Sequence, residues 1–550
     1  MATPSSRPGA AQLRLPLLDD YLREQQELTA VERFAQAAAS RQAVPDATAG
    51  AGRHYRELLP ASPPAAGQQY AFEVDLDVCS GCKACVTACH NLNGLDDGET
   101  WRAVGLLHGG TAAAPVKQTV STACHHCLDP ACMTGCPVGA YEKHPITGIV
   151  KHLDDQCIGC QYCTFTCPYE VPQYNARLGI VRKCDMCSDR LAAGAAPACV
   201  QACPNGAIAI TVIDKRQALE DAQGDAFLPG APSPAITVPT TVYRSDRAPP
   251  RNLLPADFFQ IAPAHRHAPL VVMLVLTQLS VGTFLIDALA SRFVAAEVRA
   301  ALQPTWSLVA LSVGLVALGA SVFHLGRPLY AFRAVIGLRT SWMSREIVAF
   351  GGFAVLAVAY AGSAFLTPGP SLAALRDALG WTVAALGVIG VVCSVLIYHA
   401  TRKAWWNATL TGFKFFATTA LLGLATTLVT LAIAPARLPD GTVAVLSELV
   451  IAMSVIKGAG ELAVLIHLRD KRYTELRRSA VLLTGDLRRW LVGRLVALVA
   501  GGVVLPLANL HGDRVAPTVV SFGFLLAGEL LERTLFFAAA SSHRMPGAIR

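Results

Sequence analysis

Cysteine is concentrated in one part of this 550-residue chain. Of its 17 cysteines, 16 lie between Cys79 and Cys203, and Cys393 lies alone in an apolar run. The 16 form four groups of four, and three of the groups end in Cys-Pro. The groups are Cys79, Cys82, Cys85 and Cys89; Cys124, Cys127, Cys132 and Cys136; Cys157, Cys160, Cys163 and Cys167; and Cys184, Cys187, Cys199 and Cys203. Such crowding leaves disulfides, zinc or iron–sulfur clusters as the possible uses of these thiols.

The spacing within the groups favours iron–sulfur clusters. The first and third groups have the spacing C-x2-C-x2-C-x3-C, in which three close cysteines bind one cubane and the fourth binds the other cluster of a pair. Zinc needs only two distant C-x2-C pairs and no proline after them. Disulfides are typical of small secreted domains, yet the first 26 residues contain neither an apolar signal segment nor a twin arginine. With four thiolates per cubane, the sequence predicts four [4Fe–4S] clusters.

The second half of the chain has the composition of a membrane protein. Charged residues are 15% of the chain, against roughly 25% in soluble proteins, and hydrophobic residues are 53%. The net charge of +7 comes from basic residues between apolar runs, without the interleaved aromatics of a nucleic-acid surface, so no nucleic-acid partner is expected. Eight apolar runs are long enough to cross a bilayer. They lie near 268–290, 304–325, 346–366, 379–400, 412–435, 443–467, 489–510 and 517–540.

Changes in composition divide the chain into five parts. Residues 71–212 combine the cysteines with short β-rich runs, which predicts an α+β ferredoxin-like domain. Residues 266–540 are predicted to be an all-α membrane domain of eight transmembrane helices. Residues 1–70 are predicted to be a polar extension, residues 213–265 a Pro-rich linker, and residues 541–550 a C-terminal tail.

Both large parts resemble one family of enzymes. Residues 71–212 resemble the four-cluster iron–sulfur subunit of the dimethyl sulfoxide reductase family, on the strength of the cysteine groups. Residues 266–540 resemble the membrane anchor subunit of the same enzymes. That second resemblance rests on the eight-helix plan and on FHLGRP at 323–328, SREIVAFG at 344–351, GAGELAVL at 458–465 and AGELLERTLFF at 527–537. The two subunits are separate chains in that family, so this chain resembles a natural fusion.

The resemblance also implies how the cysteines are shared among the clusters. The first and last groups share two clusters, and the middle groups share the other two. The implied sets are Cys79, Cys82, Cys85 and Cys203; Cys184, Cys187, Cys199 and Cys89; Cys124, Cys127, Cys132 and Cys167; and Cys157, Cys160, Cys163 and Cys136. The last set is expected nearest the membrane. Related nitrate reductases have a tryptophan at the position of Cys163, so the cysteine here implies a complete four-iron cluster.

A menaquinol site is implied at the start of the third apolar run. The candidates are His324 and Arg327 of the FHLGRP motif and Glu346 of the next run. Quinol oxidation releases two protons with two electrons, so the site needs a partner for the hydroxyl and a proton acceptor close to a cluster. The alternative is that His324 is an ordinary interfacial histidine at a helix end. Haem is not expected, because His324, His399 and His467 fall at the ends of runs rather than in pairs inside them.

Several ionisable residues fall inside the apolar runs, where they are costly in lipid. Two pairs, Lys457 with Glu461 and Glu529 with Arg533, have the i,i+4 spacing that allows mutual neutralisation on a helix. Structural pairing and a proton path are both open interpretations. The full set is Asp287, Glu448, Lys457, Glu461, Arg494, Glu529, Glu532 and Arg533.

The resemblance predicts an electron-transfer and anchor subunit. It would oxidise menaquinol in the membrane and pass electrons through four clusters to a separate molybdopterin catalytic subunit. One alternative is that electrons pass through the same clusters in the opposite direction, from a dehydrogenase to quinone. Another is a redox-gated ion transporter, although the apolar runs show no inverted repeat.

Basic residues in the loops predict the orientation in a bacterial plasma membrane, because Lys and Arg concentrate on the cytoplasmic side. The iron–sulfur domain and both termini are therefore predicted to be cytoplasmic. The alternative is that the basic loops dock an acidic partner. The loops on the iron–sulfur side contain Arg327, Arg333, Arg339, Arg345, Arg402, Lys403, Lys414, Arg469, Lys471, Arg472, Arg477, Arg478, Arg488 and Arg489, followed by Arg544 and Arg550 in the tail. The opposite loops contain Arg292, Arg299, Arg376, Arg437 and Arg514.

Overall fold

The computed structural model describes most of the chain after residue 56. The described residues are 32, 55, 57–294, 296–366, 370–433, 441–510 and 515–547. Most of the predicted N-terminal extension, together with Arg437, Arg514 and Arg550 of the charge comparison, lies outside these residues.

The N-terminal domain is built on two three-stranded sheets and two hairpins. Within the described residues the sheet orders are β8-β1-β9 and β10-β2-β3, and β4-β5 and β6-β7 form the hairpins. Strand β1 alternates buried and half-buried residues, because one face packs on the core. The strands are β1 (Gln68–Asp75), β2 (Ala103–Gly110), β3 (Pro115–Thr122), β4 (Tyr141–Lys143), β5 (Val150–His152), β6 (Gln173–Asn175), β7 (Ile180–Arg182), β8 (Ile208–Asp214), β9 (Val242–Arg244) and β10 (Leu254–Pro255).

Five short helices of this domain follow or contain the cysteines. Strand β1 pairs antiparallel with β8, from Gln68 opposite Asp214 to Val74 opposite Ile208, and so joins the two ends of the cysteine-rich region. The helices therefore lie between sheets that are closed by distant parts of the chain. They are α1 (Ala84–Leu92), α2 (Ala131–Thr134), α3 (Tyr162–Thr166), α4 (Ser188–Ala192) and α5 (Ala198–Gln201).

Residues 213–265 differ from the predicted linker. They contain helix α6 (Lys215–Gln223), whose first turn is capped by the Asp214 carboxylate, which accepts from the Arg216 and Gln217 amides. Strand β9 pairs parallel with β1, and β10 pairs antiparallel with β2. The segment is therefore part of the folded domain, because it covers sheet edges whose backbone groups would otherwise lack partners.

The predicted tail is also folded onto the N-terminal domain. Met545 is buried in a hydrophobic cluster that includes Leu107 and Tyr169. The Arg544 side chain lies 3.1 Å from the Glu170 carboxylate. The polypeptide therefore returns from its last long helix into the core of the first domain.

The eight predicted apolar runs are confirmed as helices long and apolar enough to cross a membrane. The sixth continues into a 3-10 turn (Ala463–Arg469), and the seventh contains a π-helical turn (Ala500–Val504). A shorter amphipathic helix, α13, connects these two. The helices of the membrane domain are α7 (Ala268–Phe293), α8 (Ala296–Val322), α9 (Trp342–Ser363), α10 (Pro370–His399), α11 (Ala408–Ile433), α12 (Thr442–Leu462), α13 (Glu475–Thr484), α14 (Arg488–Val499), α15 (Leu505–Asn509) and α16 (Val515–Ala538).

Helices α7 and α11 join the two halves of the membrane domain. A side chain at Gly282 of α7 would collide with the Thr419 carbonyl, and one at Gly423 of α11 would collide with Gly282. Small residues allow such close backbone contact, which is typical of helix crossings in membranes. Helices α8, α9 and α10 lie on one side of this crossing, and α12, α14 and α16 lie on the other.

Candidate functional site

Two cavities of the N-terminal domain are each lined by four cysteines. Each takes three cysteines from one group and one from another group, as two of the implied ligand sets do. All the cysteines are free thiols, so the cavities have the donor set that a cubane requires. The lining cysteines are Cys79, Cys82, Cys85 and Cys203 in the first cavity, and Cys124, Cys127, Cys132 and Cys167 in the second.

The other two implied sets also contain close neighbours. Burial raises the pKa of the Cys89 thiol, and the nearby Cys199 and Cys187 thiols raise it further. Burial likewise raises the pKa of Cys163, with added contributions from Cys160 and other neighbouring thiols. Crowded, buried thiols resist ionisation unless a cation is bound among them, as iron would be.

The cysteine loops direct backbone amides at the sulfur atoms. Left-handed residues such as Lys83 (φ 62°), Gln161 (φ 59°) and Met186 (φ 62°) turn the backbone within these loops. Hydrogen bonds to sulfur stabilise thiolate ligands and tune the potential of a cluster. The N–H to Sγ bonds are Ala140 to Cys136 (3.3 Å), Gly159 to Cys157 (3.4 Å), Met186 to Cys184 (3.4 Å) and Ala207 to Cys203 (3.3 Å).

Two buried cations near the thiols were not singled out from the sequence. The Lys183 ammonium donates to the Cys184 carbonyl at 2.8 Å and lies 3.7 Å from Cys124 Sγ. The Arg102 guanidinium is 2% exposed and lowers the pKa of the Cys85 thiol against the effect of burial. Both favour negative charge on the sulfurs. In the sequence, only the position of Lys183 directly before the fourth cysteine group could have indicated a cation beside the thiols.

A segment of the membrane domain packs on the loop of the third cysteine group. This junction segment, residues 323–345, connects α8 to α9. The Arg327 amide donates to the Ile158 carbonyl at 3.0 Å, and the Gly337 amide donates to Pro137 at 2.7 Å. A side chain at Gly159 would collide with Gly326. The third cysteine group therefore lies directly against the membrane domain.

The three predicted quinol-site residues lie at this junction. His324 Nε2 donates to the Cys160 carbonyl at 3.1 Å, and burial lowers the pKa of this imidazole. Glu346 is buried in α9 and accepts a hydrogen bond from the Ser394 hydroxyl. Arg327 donates to the Asp154 carbonyl at 2.9 Å, which is a docking contact. The assignment of all three residues to quinol stays a prediction.

Aromatic side chains that were not predicted fill the space between the third cysteine group and the membrane. The Tyr162 hydroxyl donates to the Ile397 carbonyl at 2.7 Å. The Phe165 ring lies 4.9 Å from the His267 ring and 5.5 Å from the Trp406 ring, and the His267 and His324 rings are 5.4 Å apart. Burial lowers the pKa of His267 to about 3, so its imidazole is neutral. These rings fill the junction with apolar and aromatic surface.

Seven charged side chains form a buried network in the second half of the membrane domain, in which the Thr418 hydroxyl joins two groups of ion pairs. Arg494 Nη2 lies 2.7 Å from Glu529 and 2.9 Å from Glu461. Lys457 Nζ lies 3.3 Å from both carboxylates, so the predicted Lys457–Glu461 pair is confirmed. The members are Lys414, Lys457, Glu461, Arg494, Glu529, Glu532 and Arg533.

The second predicted pair is replaced by other contacts. Arg533 lies 3.4 Å from Glu532, while Glu529 pairs with residues of α12 and α14. Lys414 lies 3.6 Å from Glu532 inside the network, so counting it as a loop charge was wrong. Glu448 is exposed on α12. Charged groups in lipid need such partners, because water is not available there.

Asp287, near the C-terminal end of α7, is also paired. Its carboxylate accepts from the Tyr360 hydroxyl at 2.6 Å and lies 3.4 Å from the Arg299 guanidinium. The observed contacts therefore support structural pairing of these ionisable residues, and a proton path stays a hypothesis.

The network predicts a large loss of stability when one charge is removed. Glu529→Gln keeps the size of the side chain but removes one of the two negative charges that compensate Arg494 and Lys457. We expect a loss of about 3–5 kcal/mol in the free energy of unfolding, measured by denaturation in mixed micelles. Glu448→Gln is the control, since that carboxylate is exposed. Equal losses in the two variants would contradict the assigned pairing.

Comparisons with known proteins agree with this architecture. The family model for the DMSO reductase anchor subunit matches residues 263–539, and a model for a 4Fe-4S dicluster domain matches residues 116–213. The B subunit of the anaerobic dimethyl sulfoxide reductase of Haemophilus influenzae is 36% identical over 189 residues, which are 33% of the present sequence and 91% of that protein.

Two further relatives come from Escherichia coli. The probable anaerobic dimethyl sulfoxide reductase subunit YnfG of strain K12 is 39% identical over 155 residues, 27% of the present sequence and 75% of that protein. The hydrogenase-2 operon protein HybA of O157:H7 is 36% identical over 178 residues, 28% of the present sequence and 53% of that protein. An iron–sulfur electron-transfer domain thus precedes a multi-pass membrane domain, and the protein belongs to the dimethyl sulfoxide reductase family as a fusion of an iron–sulfur subunit with the membrane anchor subunit.

Proposed function

We propose that this protein oxidises menaquinol and passes the electrons through four [4Fe–4S] clusters to a separate molybdopterin catalytic subunit. The observation that supports this most directly is the hydrogen bond of 3.1 Å between His324 Nε2 and the Cys160 carbonyl. It joins the candidate quinol site to the loop of the third cysteine group. Electrons would therefore enter the iron–sulfur domain without crossing a gap between the domains.

The four mixed cysteine sets are proposed as the cluster ligands. [4Fe–4S] clusters, when bound, accept and release one electron at a time. The two cysteine-lined cavities and the amide bonds to sulfur support the assignment. The third group, on the junction with the membrane domain, would supply the ligands nearest the quinol site.

His324 is proposed to hold one quinol hydroxyl. Because a carbonyl oxygen only accepts hydrogen bonds, the bond to Cys160 places the imidazole proton on Nε2. Burial disfavours the charged ring, so Nδ1 carries no proton and can accept a hydrogen bond from the quinol hydroxyl. Glu346, buried on α9 and bonded to Ser394, is proposed as a proton acceptor.

The relatives support a catalytic partner and leave one alternative for the direction of electron flow. Two of the relatives are named as parts of dimethyl sulfoxide reductases, which supports a molybdoenzyme partner. Similarity to a hydrogenase-2 operon protein favours, as the second candidate, a current that runs from a dehydrogenase into quinone. Two rates separate these directions of electron flow. One is the reduction of the clusters by a menaquinol analogue, and the other is the reduction of the quinone by pre-reduced clusters.

The iron–sulfur domain is proposed to lie in the cytoplasm. Without Lys414, thirteen basic residues remain on its side of the membrane up to Arg489. The opposite side has five, of which Arg292, Arg299 and Arg376 lie in helices, and Arg437 and Arg514 lie outside the described residues. This asymmetry follows the positive-inside rule.

The cluster assignment predicts the iron content of the protein. Purified protein should contain about sixteen irons, four for each cubane, and Cys163→Ser should lose or alter one cluster. Cys393→Ser is the control, because Cys393 lies in α10 of the membrane domain. The measurement is iron per polypeptide together with paramagnetic resonance of the reduced clusters. Zinc in place of iron would refute the proposal.

The quinol site is tested by two substitutions of His324. His324→Leu should abolish cluster reduction by a menaquinol analogue while all four clusters remain assembled. His324→Gln can still donate to the Cys160 carbonyl but offers no imidazole nitrogen to quinol, so it should also be inactive. Normal rates of cluster reduction in the glutamine variant would show that His324 serves only to dock the two domains.

The orientation is tested with protease on intact spheroplasts. A cytoplasmic iron–sulfur domain should be resistant until the membrane is permeabilised. Digestion of residues 57–255 from outside would show that the domain is exported, and that the basic loops serve a partner surface instead.

A further inference from the structure

The junction segment has an inner face and an outer face. Its inner face packs on the third cysteine group, as described above. Its outer face exposes four large apolar side chains: Phe323 (84% exposed), Leu329 (88%), Phe332 (71%) and Ile336 (64%). The segment starts directly after α8 and runs into the first turn of α9, so it lies at the membrane surface. Exposed apolar groups at that level are expected to enter the bilayer interface.

The same segment is strongly basic. It contains four arginines and no acidic residue over residues 323–345. Arg327 and Arg333 donate to the Asp154 and Asp155 carbonyls, and Arg345 donates to the Arg339 carbonyl. A carbonyl satisfies a donor but does not neutralise a guanidinium, so the positive charges of Arg333 and Arg345 remain available to an anion.

Aromatic rings hold two of the guanidinium groups beside the apolar face. The Arg333 guanidinium lies 4.4 Å from the centre of the Tyr330 ring, and the Arg345 guanidinium lies 4.2 Å from that of Trp342. Tyrosine and tryptophan are enriched at the level of the lipid headgroups. Arg339 is exposed between these two pairs. An anionic phospholipid has apolar acyl chains and a negatively charged headgroup. The exposed apolar side chains match the acyl chains, and the guanidinium groups match the headgroup.

We propose that the junction segment binds anionic phospholipids, with Arg333, Arg339 and Arg345 contacting the headgroup phosphate and the apolar face contacting the acyl chains. Because the inner face packs on the third cysteine group, bound lipid would hold the iron–sulfur domain against the membrane. This binding does not depend on the direction of electron flow or on the substrate of the partner.

The test uses the full-length protein in nanodiscs of phosphatidylcholine with and without phosphatidylglycerol. Phosphatidylglycerol should slow hydrogen exchange in residues 323–345, and native mass spectrometry should show that it is retained in preference to phosphatidylcholine. Arg339→Gln should weaken this preference about fivefold, the effect of one basic residue at an anionic membrane surface. Adding Arg333→Gln should weaken it further.

Controls separate a specific site from general surface charge. Arg472→Gln removes an exposed charge in another loop on the same side of the membrane and should leave the protection of residues 323–345 by phosphatidylglycerol unchanged. An equal loss in Arg472→Gln, or equal protection in both lipids, would overturn the proposal. The proposal would also be overturned if soluble glycerophosphate, without phosphatidylglycerol, slowed hydrogen exchange in residues 323–345, or if only an acidic protein partner slowed it. Unchanged iron content in each variant would show that the protein is still folded.

Discussion

The contact between the third cysteine loop and the junction segment is the constraint on which the arrangement of the two domains depends. Gly159, Gly179 and Gly326 approach so closely that no side chain fits between them. Gly159 and Gly179 also adopt φ values of 69° and 67°, which favour glycine. The backbone of one domain therefore hydrogen-bonds directly to the backbone of the other, and the proposed path from quinol to cluster is short because of this contact.

The return of the polypeptide into the first domain reinforces that contact. After α16 the tail places Met545 in the core of the N-terminal domain. The Arg478 guanidinium of α13 also donates to the Phe258 carbonyl at 2.9 Å, between the last strand of the first domain and the first long helix. The two domains are thus in contact through the tail and through α13 as well as through the junction segment.

Buried charge is balanced differently in the two domains. In the N-terminal domain, Arg102 and Lys183 place positive charge beside crowded thiols that become anionic when they bind a cluster. In the membrane domain, the carboxylates of Glu461, Glu529 and Glu532 are compensated by basic residues on neighbouring helices. Neither set could be buried alone, because an uncompensated charge in a medium of low dielectric constant is costly.

The parts of the structure that were predicted correctly follow from local rules. A run of about 20 apolar residues is stable across a membrane whatever its neighbours are, so all eight helices were visible in the sequence. The spacing of the third cysteine group likewise requires a tight loop around a cluster. Residues 213–265 also contain β9 and β10, and their proline content gave no sign of the strand edges that these two strands cover.

The sequence by itself determined the number and spacing of the thiols, the eight membrane helices and the family, since each depends on residues close together in the polypeptide. Only the tertiary structure decided that Glu529 pairs with Arg494 rather than with Arg533, and that Arg327 docks on Asp154. Such contacts join residues far apart in sequence. Their partners are chosen by the packing of whole helices and sheets, and no local spacing encodes that choice.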